Sequence, residues 1–88
     1  MEAIALIGLG SELIGIAPTV EACAQLLIDY FSDFNGFIKL LNSEAKDRGF
    51  PSTQDFLIQY LQEELDGNRH TNPDDDLGVR TWRYIINE

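Results

Sequence analysis

The chain is poor in the residues that usually carry chemistry. Its 88 residues hold one cysteine, Cys23, and one histidine, His70. A lone cysteine closes no internal disulfide, which excludes the cross-linked framework of a small secreted protein. A reducing, cytoplasmic setting is the expectation. Zinc has no ligand set, because Cys23 and His70 stand alone. No Ser-His-Asp or Cys-His arrangement is recognisable, so the reading is non-enzymatic, with no catalytic residue and no cofactor.

Bases are scarce as well. Six Lys and Arg face fifteen Asp and Glu, a net charge of −9. Such a field repels nucleic acid and anionic membranes and favours a protein partner with a basic surface. Long apolar runs are also lacking. Ala3–Ala17 gives fifteen residues, interrupted by Glu12 and ended by Pro18, where a membrane span needs about 20. Only Glu2 precedes the run, so a secretory signal, which needs a basic start, is not expected either.

What is present is ordinary for a small globular domain. The apolar fraction is 44%, enough for a thin core within one domain spanning residues 1–88. Leu6, Leu9, Leu13 and Ile16 recur at steps of three and four, predicting an apolar, glycine-spaced first helix over 2–17. Ile4, Ile7 and Ile14 lie off that stripe, so its apolar surface exceeds one face. Gly8, Gly10 and Gly15 then imply close packing, a flexible element or a self-association face.

Amphipathic helices are predicted at about 18–31, 34–48, 52–66 and 76–87. Val20, Cys23, Leu27 and Phe31 mark the first of these, with Pro18 at its start. Phe34, Phe37, Ile38, Leu41 and Ala45 give the strongest periodic signal, closed by Gly49. Ser52 and Asp55 make a capping-box-like start for the next, lined by Phe56, Leu57, Tyr60, Leu61 and Leu65. Val79, Trp82 and Ile86 stripe the last, which places Trp82 in the core and leaves Tyr84 freer. No strand is predicted, and the expected architecture is all-α, a compact four- to five-helix bundle.

Asp66–Leu77 has the spacing of a calcium loop, but Thr71 replaces its turn glycine and Leu77 its bidentate glutamate. No metal site is expected. The acids of the second half carry more weight. Asp55, Glu63, Glu64, Asp66, Asp74, Asp75 and Asp76 form one negative face if the loop after residue 67 folds back over the fourth helix. With Tyr84 they are the candidate partner-binding residues.

"RGFPSTQDFLIQYL" (Arg48–Leu61), followed by "WRY" (Trp82–Tyr84), resembles the pattern of YozE-type SAM-like domains across about residues 19–86. The resemblance implies a helical bundle and transfers no functional residue. "MEAIALIGLGSELIGIA" resembles the opening of some fungal immune-receptor helical domains, which are apolar and sometimes membrane-active. The leading expectation is a small acidic protein-interaction module that inhibits or regulates a larger protein, with no direct binding of nucleic acid or membrane. Three alternatives stand beside it. One is a homo-oligomerising adaptor that uses the first helix. The second is a nucleic-acid mimic occupying a basic groove, and the third a membrane-perturbing segment released from the bundle.

Overall fold

In a computed structural model, the chain is described over residues 2–8, 10–34, 36–67 and 77–85, the side chains of Tyr84 and Ile85 excepted. The elements run β1 (Glu2–Ile7), β2 (Leu13–Ala17), α1 (Val20–Ser32), α2 (Phe37–Asp47), α3 (Thr53–Leu65) and β3 (Arg80–Ile85). The strands form one antiparallel sheet in the order β2-β1-β3. The all-α bundle of four to five helices is therefore overturned. Among the described residues this is a mixed α/β fold, three helices over a three-stranded sheet.

The N-terminal correction has a clear physical cause. Three glycines inside one helix would cost about 3 kcal/mol relative to alanine. In the hairpin, Gly8 and Gly10 fall in its turn and only Gly15 sits within a strand. The β-branched Ile4, Ile7, Ile14 and Ile16 also favour extended backbone. The Gly8 N–H donates to the Glu12 carbonyl at 2.9 Å, and Ser11 N–H to the Gly8 carbonyl at 3.0 Å. Ser11 takes a left-handed conformation with φ 62° to close the turn. β1 is central, paired on both edges, with Ile4 and Leu6 buried toward the helices and the small Ala3 and Ala5 buried among their cross-strand neighbours, so it reads as an unbroken apolar run. Helical spacings among its leucines are a by-product of that density.

The last predicted helix, 76–87, is also corrected. Arg80–Ile85 pairs with β1 from Glu2↔Ile85 to Ile7↔Arg80, a segment rich in strand-favouring Thr, Trp, Tyr and Ile. The three middle helices match their predictions with shifted starts. Thr19, not Pro18, begins α1, its hydroxyl accepting from Ala22 N–H at 3.2 Å. Phe34 lies before α2, whose N-cap is Gly36. Ser52 caps α3 by accepting from Asp55 N–H at 3.1 Å and donating to the Asp55 carboxylate at 3.0 Å.

Gly49 ends α2 in a Schellman arrangement, with Phe50 N–H donating to the Ala45 carbonyl at 2.9 Å and Gly49 N–H to Lys46 at 3.0 Å. Its φ of 84° is one that L side chains rarely adopt. Gly49→Ala is expected to cost about 1 kcal/mol, read as a fall in melting temperature of about 4–8 °C.

Directly opposed residues of an antiparallel pair point to the same face. Ile4, Leu6 and Ala17 face the helices and join Cys23, Ala24, Leu27, Leu41, Leu57 and Leu61 in one core. α1 lies between the sheet and α3 and is the hub of that core. Gly15, opposite Leu6, lets α1 approach, for a Cβ there would meet Leu26 Cδ1 at 2.9 Å. Cys23 is fully buried with its thiol toward the Ile4 carbonyl, and burial pushes its pKa up. It is a packing residue. Tyr60 ties α3 to the approach of β3 by donating its hydroxyl to the Val79 carbonyl at 3.2 Å.

Candidate functional site

Two surfaces stand out, and neither is the acidic face expected from sequence. The first is the outer side of the sheet. Ala3 and Ala5 lie on the face opposite the core, and Ile16 and Trp82 oppose Ala5 from the two flanking strands. Leu13 pairs with Ile7 across the bulge at the hairpin end. Among the described residues, α1 and α3 pack against the other face, so no helix covers this one; Ala3 and Ala5 are buried among their cross-strand neighbours, while the larger flanking side chains stand open. Trp82 is 67% exposed, Leu13 57% and Ile16 48%. Core placement of Trp82 is thus corrected: once the segment is a strand, alternation turns Trp82 outward while Thr81 faces inward opposite Leu6.

The second surface is a cavity of about 350 Å³ at the end of the sheet where β1 stops and β3 begins. Gly8 and Leu77–Val79 line one side, and Tyr30, Phe31, Phe34 and Phe37 the other. Their rings interlock, Tyr30 with Phe34 at 5.0 Å and Phe31 with Phe37 at 4.8 Å between centroids. Phe34, read from sequence as a core residue, stands 47% exposed, because α2 starts three residues later and leaves it on the connecting turn. At the rim, the Tyr30 hydroxyl donates to Glu12 Oε1 at 2.8 Å. The missing side chain of Gly8 makes this contact feasible, since a Cβ there would lie 2.7 Å from Glu12 Cδ.

That hydrogen bond holds the Glu12 carboxyl below the usual carboxylate range and pushes the Tyr30 hydroxyl up. A depressed carboxyl stabilises the fold above its unfolded pKa, and that contribution disappears as pH falls through the folded value. An NMR titration is expected to place the Glu12 midpoint below that of a model glutamate. In Tyr30→Phe the midpoint should move back up, and an unmoved midpoint would mean the hydroxyl is not the cause.

Of the sequence-predicted site residues, the described acids all lie on α3 or at its end. Asp55 is exposed in the first turn of α3, where it serves the cap. Glu63 is half-buried, its carboxylate accepting from Gln59 at 3.3 Å. Asp55, Gln59 and Glu63 lie at steps of four along one line of the helix. Glu64 does not join that line. Its side chain is 12% exposed, continues the Leu57–Leu61 stripe and meets Arg80 Nη1 at 3.7 Å. Asp66 is the exposed C-cap residue. Asp74, Asp75, Asp76 and most of the calcium-like spacing lie outside the described residues, as does the side chain of Tyr84. Among the described residues, no group of three His, Cys, Asp or Glu could hold a metal ion. No helix there is long and apolar enough to cross a membrane.

Both surfaces left traces in the sequence. Gly8-Leu9-Gly10-Ser11 between isoleucine-rich runs is a turn signal, and it exposes the alternation that follows. Four aromatic residues between Tyr30 and Phe37 mark the cavity wall.

Compared with known proteins, the chain matches no family model, no curated protein and no solved structure. The likeness to YozE-type domains thus rests on the sequence pattern alone.

Proposed function

We propose that this chain is a non-catalytic protein-interaction module that docks through the open face of its sheet. The carrying observation is Trp82, two-thirds exposed beside Leu13 and Ile16 on a face no helix covers. Isolated exposed apolar residues are normal, but three large ones on the two strands that flank β1, with its small Ala3 and Ala5 between them, make a patch, and tryptophan is enriched among residues that dominate interfaces. The partner surface that fits is an apolar strip flanked by basic residues, the second feature answering the net charge of −9. Inhibition or regulation of a larger protein is the role such a module would serve.

The same face supports a second reading, association with another copy. Its strand positions Ala3, Ala5, Leu13, Ile16 and Trp82 carry no charge, and Arg80, which shares their side of β3 at the end of the sheet, already meets Glu64, so two copies would bury no unpaired ion there.

The test is affinity capture of a stoichiometric partner at low and high salt, with sedimentation of the purified chain alongside. Ile16→Asp puts a charge on the face at a half-exposed position. Salt-resistant binding that Ile16→Asp abolishes, with circular dichroism unchanged, is the expected result. Binding that survives Ile16→Asp and disappears at high salt would replace this reading with the acidic-surface one, in which carboxylates imitate nucleic-acid phosphates.

A further inference from the structure

The aromatic cavity is separate from the sheet face, and its chemistry selects a different kind of ligand. A volume of about 350 Å³ falls at the small end of the range of small-molecule sites. At the packing density of protein interiors it accommodates on the order of ten non-hydrogen atoms. Most of its wall is hydrocarbon and aromatic ring, with Phe34 held half in the open beside it. Among the described residues, a polar side-chain pair sits on the rim where the Tyr30 hydroxyl and Glu12 carboxylate meet.

The sign of the charge at that rim decides the ligand class. α1 ends and α2 begins beside the cavity, so the negative end of one helix and the positive end of the other offset each other. Arg80, next to Val79, is drawn to the Val79 carbonyl at 3.1 Å and to Glu64 at 3.7 Å. Glu12 stays exposed with its carboxylate accepting from the Tyr30 hydroxyl and from the backbone N–H groups of Glu12 and Gly10, and an ionised carboxylate, with about four lone-pair sites, still has one to offer. Aromatic ring faces add the attraction of their quadrupole for a cation.

We infer that this cavity binds a small organic ammonium ion. Its apolar portion lies against Phe31, Phe34 and Phe37, and its cationic head lies over the face of the Tyr30 ring, beside the Glu12 carboxylate that the Tyr30 hydroxyl holds. An anion of the same size is repelled by Glu12, and a neutral compound forgoes both charge attractions.

The experiment titrates the full chain with benzyltrimethylammonium, and separately with the similar-sized anion 3-phenylpropionate and the neutral 4-phenyl-2-butanone, followed by heteronuclear NMR and calorimetry. Expected are saturable shifts at Gly8, Tyr30, Phe34 and Val79 with the cation, and none with the anion. Glu12→Gln, which keeps an acceptor for Tyr30, should weaken the cation by about tenfold or more while leaving the fold intact. Phe34→Ala, at an exposed position, should weaken it similarly. Equal binding of cation and neutral compound, or an unchanged affinity in Glu12→Gln, overturns the inference, as do shifts confined to residues away from the cavity. These outcomes are independent of Trp82, so the site and the docking face stand or fall separately.

Discussion

Leu27→Ala is expected to remove about 3–5 kcal/mol of stability, the largest loss from any single truncation proposed for this fold. Leu27 is fully buried midway along α1, the helix that touches the sheet on one side and α3 on the other. Deleting its isobutyl group opens a cavity that three elements border, and none can collapse into it without leaving another neighbour. A domain of this size has on the order of 4–13 kcal/mol in total, so the variant should be marginal. Its melting temperature should fall by about 12 °C or more. A fall of less than about 3 °C would mean that α1 is not the hub of the core.

Trp82→Ala is expected to separate binding from folding. At 67% exposure the indole contributes little to the core, and the change to a weaker strand former costs less than about 1 kcal/mol. Binding through the open face should lose about 2 kcal/mol or more, close to 30-fold in affinity, if Trp82 is the anchor. Thermal melts and titration of the captured partner read the two effects on one protein. Collapse of the fold in Trp82→Ala would show that the indole packs inside. Unchanged affinity in a stable variant would move the docking surface elsewhere.

The helical half of the molecule was legible because its signals agree with one another. In α3, Ser52 and Asp55 cap the start, Phe56, Leu57, Tyr60 and Leu61 keep a 3.6-residue period, and Gly67 follows the end. The sheet was not legible by the same means. β1 is apolar at nearly every position, which erases the two-residue alternation that marks a strand. β3 is six residues long, and over so short a span Val79, Trp82 and Ile86 satisfy a helical spacing just as Trp82 and Tyr84 satisfy an extended one. Long-range pairing with β1 decided between them, and no local pattern reports it.

The candidate surfaces follow that same division. Once Ala3–Ala17 is taken as a helix, its excess of apolar residues has no face to belong to. As a hairpin, the surplus resolves into two faces, with Ile4 and Leu6 inward and Ile16 with Leu13 outward. The acidic residues are harder to place from sequence for a different reason. Charge counts say nothing about direction, and Glu64 lies against the fold while Asp55 caps a helix.

The strand order has a consequence for how the molecule is made. β1 is synthesised before the other five elements, yet one of its two partners, β3, follows all three helices. Until β3 emerges, the nascent chain can form the β1–β2 hairpin but must carry the other edge of β1 unpaired, with Ala3–Ile7 in search of main-chain partners. Closure of the sheet is therefore a late, non-local event that follows release of the C-terminal strand from the exit tunnel. Ribosome-stalled chains ending before Arg80 should be sensitive to protease and held by chaperones, and emergence of β3 from the tunnel should end both.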